Sequence, residues 1–74
     1  MSKRIKKSHH NWHHRKPRSL GGDNSDRNVI HVKSSQHQAW HTLFYNCNPH
    51  QIAFIINTTW IDPDYELVAV KKNT

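Results

Sequence analysis

Residues 13–22 read HHRKPRSLGG, and the fold is decided by this stretch together with three residues that follow it. Asn28 stands fourteen positions after His14, and His37 and His41 follow with a spacing of four. The pattern specifies ten positions by residue type and spacing: His13, His14, Lys16, Pro17, Ser19, Gly21, Gly22, Asn28, His37 and His41. A short motif is weak evidence by itself, but several motifs with consistent spacing predict a functional site.

The first part of the pattern predicts an open β-hairpin. Residues 9–14 are expected to be extended, which points the two histidines of the doublet to opposite faces of a strand. Residues 19–27 are rich in turn formers, and Gly21 and Gly22 permit positive φ, so this segment is predicted to be a long loop. Residues 28–32 then form the second strand.

A helix is predicted after the hairpin, from an N-cap at Ser34 or Ser35 to about Tyr45. His37 and His41 are one turn apart on it, so both side chains can reach a single ion. The predicted apolar face consists of Ala39, Trp40, Leu43, Phe44 and Cys47.

A second helix and a final strand are predicted in the last third of the chain. Asn48 is the expected N-cap, Pro49 the first helical residue and Gln51 the partner in a capping box. The helix should stop near residues 57–59, and the β-branched and aromatic content of residues 65–71 predicts a C-terminal strand. The residues expected to face inward on the helix are Ile52, Ile55 and Ile56.

Length and charge bound the class of protein. Seventy-four residues suffice for one domain, expected at residues 9–74, preceded by a basic flexible arm at residues 1–8. Eleven Lys and Arg against five Asp and Glu give a net charge of +6, which predicts a nucleic-acid partner.

The composition also excludes several kinds of site. Cys47 is the sole cysteine, so an intramolecular disulfide and a Cys-x-x-Cys zinc site are excluded. No apolar leader follows the basic start and no apolar run reaches membrane-spanning length. We therefore expect a soluble, cytoplasmic protein with no membrane partner.

The ten-position pattern resembles the motif of the HNH, or His-Me finger, endonucleases. It is most similar to the form in the colicin DNases, in which a His-His doublet replaces the more usual Asp-His, and it covers residues 13–41. The resemblance implies an α+β fold of the His-Me finger type, with an open hairpin followed by a metal-binding helix. The additional short helix and the C-terminal strand would extend it.

The same resemblance implies the chemistry. His14 is expected to be the general base that activates water for phosphodiester hydrolysis, and Asn28 to brace the loop that holds it. His13, His37 and His41 are expected to bind one divalent metal ion. Three imidazoles favour zinc, nickel, cobalt or manganese over magnesium, which prefers oxygen ligands.

The expected substrate is nucleic acid, DNA more than RNA, and two other functions stay open. One is a catalytically inactive nucleic-acid-binding module with a structural metal, and the other is a protein-interaction role through residues 48–57. A homodimer or a larger complex is compatible with each function. The roles of His9 and His10, a second doublet, stay open as well. The expected phosphate contacts are Arg15, Lys16, Arg18, Arg27 and Lys33.

Overall fold

A computed structural model describes residues 9–73, and the predicted arm at residues 1–8 lies outside them. Two antiparallel strands are followed by two helices, which confirms the predicted α+β arrangement of a hairpin and then helices. A 3-10 turn at Arg18–Leu20 interrupts the hairpin loop, and a π-helical turn at Ile56–Trp60 extends the second helix. The strands are β1 (His10–His14) and β2 (Val29–Lys33), and the helices are α1 (Ser34–Phe44) and α2 (Pro49–Ile55).

The register of the hairpin fixes where each histidine points. His13 lies opposite Ile30, and His14 lies opposite Val29 at the end nearest the loop. Because side chains alternate along a strand, His13 and His14 project from opposite faces, as predicted. The second strand begins one residue later than predicted, since Asn28 belongs to the loop and hydrogen-bonds across it.

Helix α1 begins directly where β2 ends, and the prediction of a serine N-cap is wrong. Lys33 is at the N-cap position without a side-chain cap, and Ser34 is already helical. The Ser34 N–H instead donates to the carbonyl oxygen of His9 at 2.8 Å. The carbonyl oxygen of His9, just before β1, therefore satisfies a helix N-terminal N–H group that a side-chain cap would otherwise satisfy.

Helix α2 confirms its predicted start. The Asn48 side chain accepts from the Gln51 N–H at 2.9 Å, and the Gln51 side chain accepts from the Asn48 N–H at 2.8 Å. This reciprocal pair is a capping box, with Pro49 at the first helical position. The chain stays helical to Trp60, slightly beyond the predicted stop, because the last turn widens to a π-helix.

The predicted C-terminal strand is wrong. Residues 65–71 have no regular secondary structure, and β1 and β2 form the whole sheet within residues 9–73. The side chain of Asn57 takes both backbone groups of Leu67, donating to its carbonyl at 2.8 Å and accepting from its N–H at 2.9 Å. The Asn57 amide thus forms with Leu67 the pair of hydrogen bonds that a neighbouring strand would form along the whole segment.

The core is small and lies where α1 crosses the hairpin. In the described part of the chain, Val29 and Phe44 are the buried hydrophobic residues, and the Trp40 ring lies 4.6 Å from that of Phe44. The predicted apolar face is wrong for Ala39 and Leu43, which are exposed. The isoleucines of the second helical segment are half-buried, as their predicted inward position requires: Ile52, Ile55 and Ile56.

No helix within residues 9–73 has the length and apolar character needed to cross a membrane. The cytoplasmic location stays a prediction.

Candidate metal and nucleic-acid site

Three histidines from two elements converge on one point. His13 comes from β1, and His37 and His41 come from α1, which packs against both strands. One ligand nitrogen from each lies within 4.8 Å of the other two, and the Nε2 atoms of His37 and His41 are 2.9 Å apart. Helix periodicity brings the last two together, and strand alternation turns His13 toward them.

The cluster suits a metal ion of the kind that imidazole binds. Zinc-bound imidazole nitrogens lie about 2.0–2.1 Å from the ion, so two of them are separated by at most about 4.2 Å. The three ligand nitrogens lie within 4.8 Å of one another, about 0.6 Å wider than that limit, so the rings would close in slightly around an ion. His13 and His37 are half-buried and His41 is exposed, so the cluster has a protein side and an open side.

Packing also favours the neutral, ligating form of two of these histidines. Burial is the main cause that lowers the pKa of His13 below its ordinary value, and the charges of His37 and His41 lower it further. The pKa of His37 is lowered by burial and then by the charge of His41. An imidazole must be neutral to bind a metal, so the apo protein holds both rings in the form that binding requires.

His14 opens onto the same cleft from the other side of the strand. A cleft of about 260 Å³ is lined by all four of these histidines together with Arg18, Ser19 and the Trp40 ring. The Nε2 atom of His14 lies 2.8 Å from Oδ1 of Asn24 in the hairpin loop. The amide oxygen can only accept, so this bond requires the proton on Nε2 and leaves Nδ1 as the basic nitrogen.

Asn28 ties the two ends of the loop together. Its Oδ1 accepts from the Lys16 N–H at 2.7 Å, and its Nδ2 donates to the carbonyl oxygens of Lys16 at 3.1 Å and Asp23 at 2.8 Å. Its own carbonyl accepts from the Arg15 N–H at 2.7 Å. These four bonds surround the position that follows His14, so the bracing role predicted for Asn28 has a structural counterpart.

The glycine pair lets the loop pass close to itself. A Cβ atom on Gly22 would lie 1.8 Å from the carbonyl oxygen of Lys16, so no other residue fits there without a backbone shift. Gly21 has φ +91°, a conformation that glycine adopts readily and other residues rarely. The Gly22 N–H donates to the carbonyl oxygen of Pro17 at 2.9 Å, which closes the turn.

The five predicted phosphate contacts separate into three places. Arg18 lines the histidine cleft. Arg15, Lys16 and Arg27 line a second cavity of about 410 Å³ beside the braced loop. Lys33 lies opposite His10, at the far end of the hairpin from Asn28.

The second histidine doublet lies apart from the cluster. His9 has φ +61° and precedes the strand, while the His10 ring lies 6.1 Å from that of His31. Within the described residues, it is His13 that joins the two histidines of α1.

Sequence reasoning missed Asn24 and the ring pair beside the cleft. Asn24 is one of several polar loop residues, and nothing in the spacing marks it as the partner of His14. The rings of Trp12 and His31 stack at 3.6 Å with an interplanar angle of 22°. Their cross-strand register could have shown this contact once the strands were aligned.

No protein-family model, curated protein or solved structure matches this chain.

Proposed function

We propose that this protein is a metal-dependent endonuclease of the HNH, or His-Me finger, type that hydrolyses phosphodiester bonds in nucleic acid. One observation carries the proposal: His14 and the three-histidine cluster open onto the same cleft. A base and a metal site that share a cleft can act on one phosphate, whereas either group alone has a plain structural explanation.

Residues in and beside the cleft have defined tasks in this reaction. Nδ1 of His14 accepts the proton of the attacking water, and Asn24 holds the imidazole in the required tautomer. Asn28 fixes the backbone that follows the base. The guanidinium of Arg18 pairs with a phosphate oxygen of the bound strand.

His13, His37 and His41 would hold the divalent ion, which supplies Lewis-acid stabilisation of the charge on the phosphate and on the leaving oxygen. An all-imidazole donor set favours zinc, nickel, cobalt or manganese over magnesium. The net charge of +6 supports a polyanionic substrate, and we propose DNA before RNA.

The test is cleavage by the purified protein loaded in turn with zinc, nickel, cobalt, manganese and magnesium. Supercoiled plasmid and a structured RNA serve as substrates, and EDTA is the control. We expect nicking with at least one transition metal, loss of nicking in EDTA, and the weakest activity with magnesium. Nucleic-acid binding without cleavage in any metal would overturn the endonuclease.

A second function is favoured by the small core. Because Val29 and Phe44 are the buried hydrophobic residues of the described chain, a metal could serve mainly to hold α1 against the hairpin. The protein would then bind nucleic acid without cutting it. The same cleavage experiment separates the two functions, because this one predicts a metal-dependent melting temperature and no product.

A further inference from the structure

The cavity beside the braced loop is separate from the histidine cleft and is strongly cationic. It has a volume of about 410 Å³, and Arg15, Lys16 and Arg27 line it with a single carboxylate, Asp23. None of the clustered histidines contributes to its wall. Three cations against one anion leave a charge of +2 on this wall.

The one carboxylate is already engaged within the loop. Asp23 accepts from the Ser25 hydroxyl at 2.6 Å and from the Ser25 N–H at 3.1 Å. These two bonds are the main cause that lowers the pKa of Asp23. Asp23 therefore braces the loop while its charge also acts on Arg27, and the wall keeps a net charge of +2 for an external anion.

The cations stand on backbone that is held in place before any ligand arrives. Asn28 binds Lys16 through both its N–H and its carbonyl oxygen, and the Arg15 N–H donates to Asn28. The Arg15 guanidinium also donates to the carbonyl oxygen of Arg27 at 3.3 Å, which directs it along the loop. Because the backbone beneath them is held, the three side chains lose less entropy on binding an anion than cations on a flexible loop would lose.

The same three cations also border a larger cavity of about 670 Å³, and Lys71 adds a fourth positive charge to its rim. Its wall includes the apolar side chains of Leu20, Ile52 and Val70. A phosphate on the cations would therefore have apolar surface next to it, against which a sugar can lie. This arrangement suits an anion that is part of a longer chain better than an isolated ion.

We propose that Arg15, Lys16 and Arg27 form a phosphate-binding subsite that holds a phosphodiester neighbouring the one in the histidine cleft. The proposal rests on the proposed function, since it places one nucleic-acid strand across both sites. Arg15 directly follows His14 in the chain, so the subsite begins one residue from the base. The subsite anchors the strand, and Arg18 in the cleft meets the phosphate that reacts.

The experiment measures affinity apart from cleavage. The zinc-loaded His14→Ala variant is titrated with a fluorescent DNA duplex at about 50 to 200 mM salt, and Lys16→Gln and Arg27→Gln are then added to that background. Each should raise the Kd about three- to tenfold and lower the salt slope by about 1. Arg27→Lys keeps the charge and should keep the slope.

Lys72→Gln is the matched control, because it removes the same charge from an exposed residue that lines neither of the two cationic cavities. It should change the Kd less than about twofold. Melting curves in zinc check that each variant is folded. In the cleavage assay, Arg27→Gln with His14 intact should raise KM and leave kcat nearly unchanged, whereas Arg18→Gln should lower kcat.

Three outcomes are distinguishable. Folded Lys16→Gln and Arg27→Gln variants that bind as tightly as their parent, or no more weakly than Lys72→Gln, overturn the subsite and leave the endonuclease standing. A wild-type protein that binds DNA through this subsite but never cleaves it overturns the endonuclease alone. A protein that does not bind DNA overturns both.

Discussion

The proposed catalysis depends first on how single residues hold His14. The bond to Asn24 selects the Nδ1-basic tautomer, and the bonds of Asn28 fix the main chain on the loop side of His14. The sequence predicted His14 and Asn28 as site residues because both belong to the ten-position pattern. Asn24 could not be predicted, because its role depends on how a nine-residue turn-rich loop folds back, and composition does not specify that path.

Asn24→Ala should lower the cleavage rate about tenfold or more, because His14 loses the partner that fixes its tautomer. Metal affinity should not change, since Asn24 is not part of the cluster. Asn46→Ala is the matched control, as Asn46 lines the same cleft without the bond to His14. Equal rates for both variants would remove Asn24 from the mechanism.

Gly22→Ala should lower the free energy of unfolding by about 2–4 kcal/mol, because the added Cβ would collide with the Lys16 carbonyl. Urea unfolding measures the change. Ser19→Ala, an exposed position in the same loop, should shift it by less than about 0.5 kcal/mol. A Gly22→Ala protein as stable as the wild type would show that the loop closes differently.

Among the helices and strands, the features set by nearby sequence were predicted best. The four-residue spacing placed His37 and His41 on one side of α1, and the capping box fixed the start of α2. The serine cap failed because Ser34 takes its partner from His9, which is distant in sequence. The predicted C-terminal strand does not form, because the backbone of Leu67 bonds to the side chain of Asn57, ten residues away, and not to a neighbouring strand.

The packing of α1 against β1 predicts how the metal-free protein responds to pH. The pKa values of His13 and His37 lie below the ordinary 6.5 in the folded state, so the unfolded chain binds more protons as the pH falls through that range. Stability should be complete above about pH 6.5 and decrease toward pH 5. Melting of the EDTA-treated protein at both ends of this window measures the effect.

The His13→Asn, His37→Asn double variant should show a flatter dependence over the same window. If the wild type and the double variant respond identically to pH, the two rings do not cause the loss of stability.

Because the core of the molecule is small, a bound metal would also contribute to the stability of the fold. With Val29 and Phe44 buried in the described chain, little apolar surface holds α1 to the hairpin, and a bound ion would link the two directly. A chain of seventy-four residues can build only a small core. The sequence did not predict that Tyr65, Val68 and Val70 stay exposed, because the strand expected at residues 65–71 does not form.

Zinc at about 100-fold above its Kd should stabilise the fold by about 2.7 kcal/mol, which corresponds to a rise in Tm of about 10 to 20 °C. His37→Ala and His41→Ala should each abolish most of that rise, because each removes one ligand of the cluster. His50→Ala, which is outside the cluster, should keep it. Equal melting with zinc and with chelator would contradict a metal site at these residues.

In the proposed reaction, His14 and the three-histidine cluster act together on one phosphate. The most direct test compares plasmid nicking and zinc affinity in the wild type and in His14→Ala. We expect nicking to fall about 10²- to 10⁴-fold while zinc affinity is kept, and His50→Ala to behave as the wild type. Nicking by His14→Ala at the wild-type rate, with the metal still bound, would show that His14 is not the base.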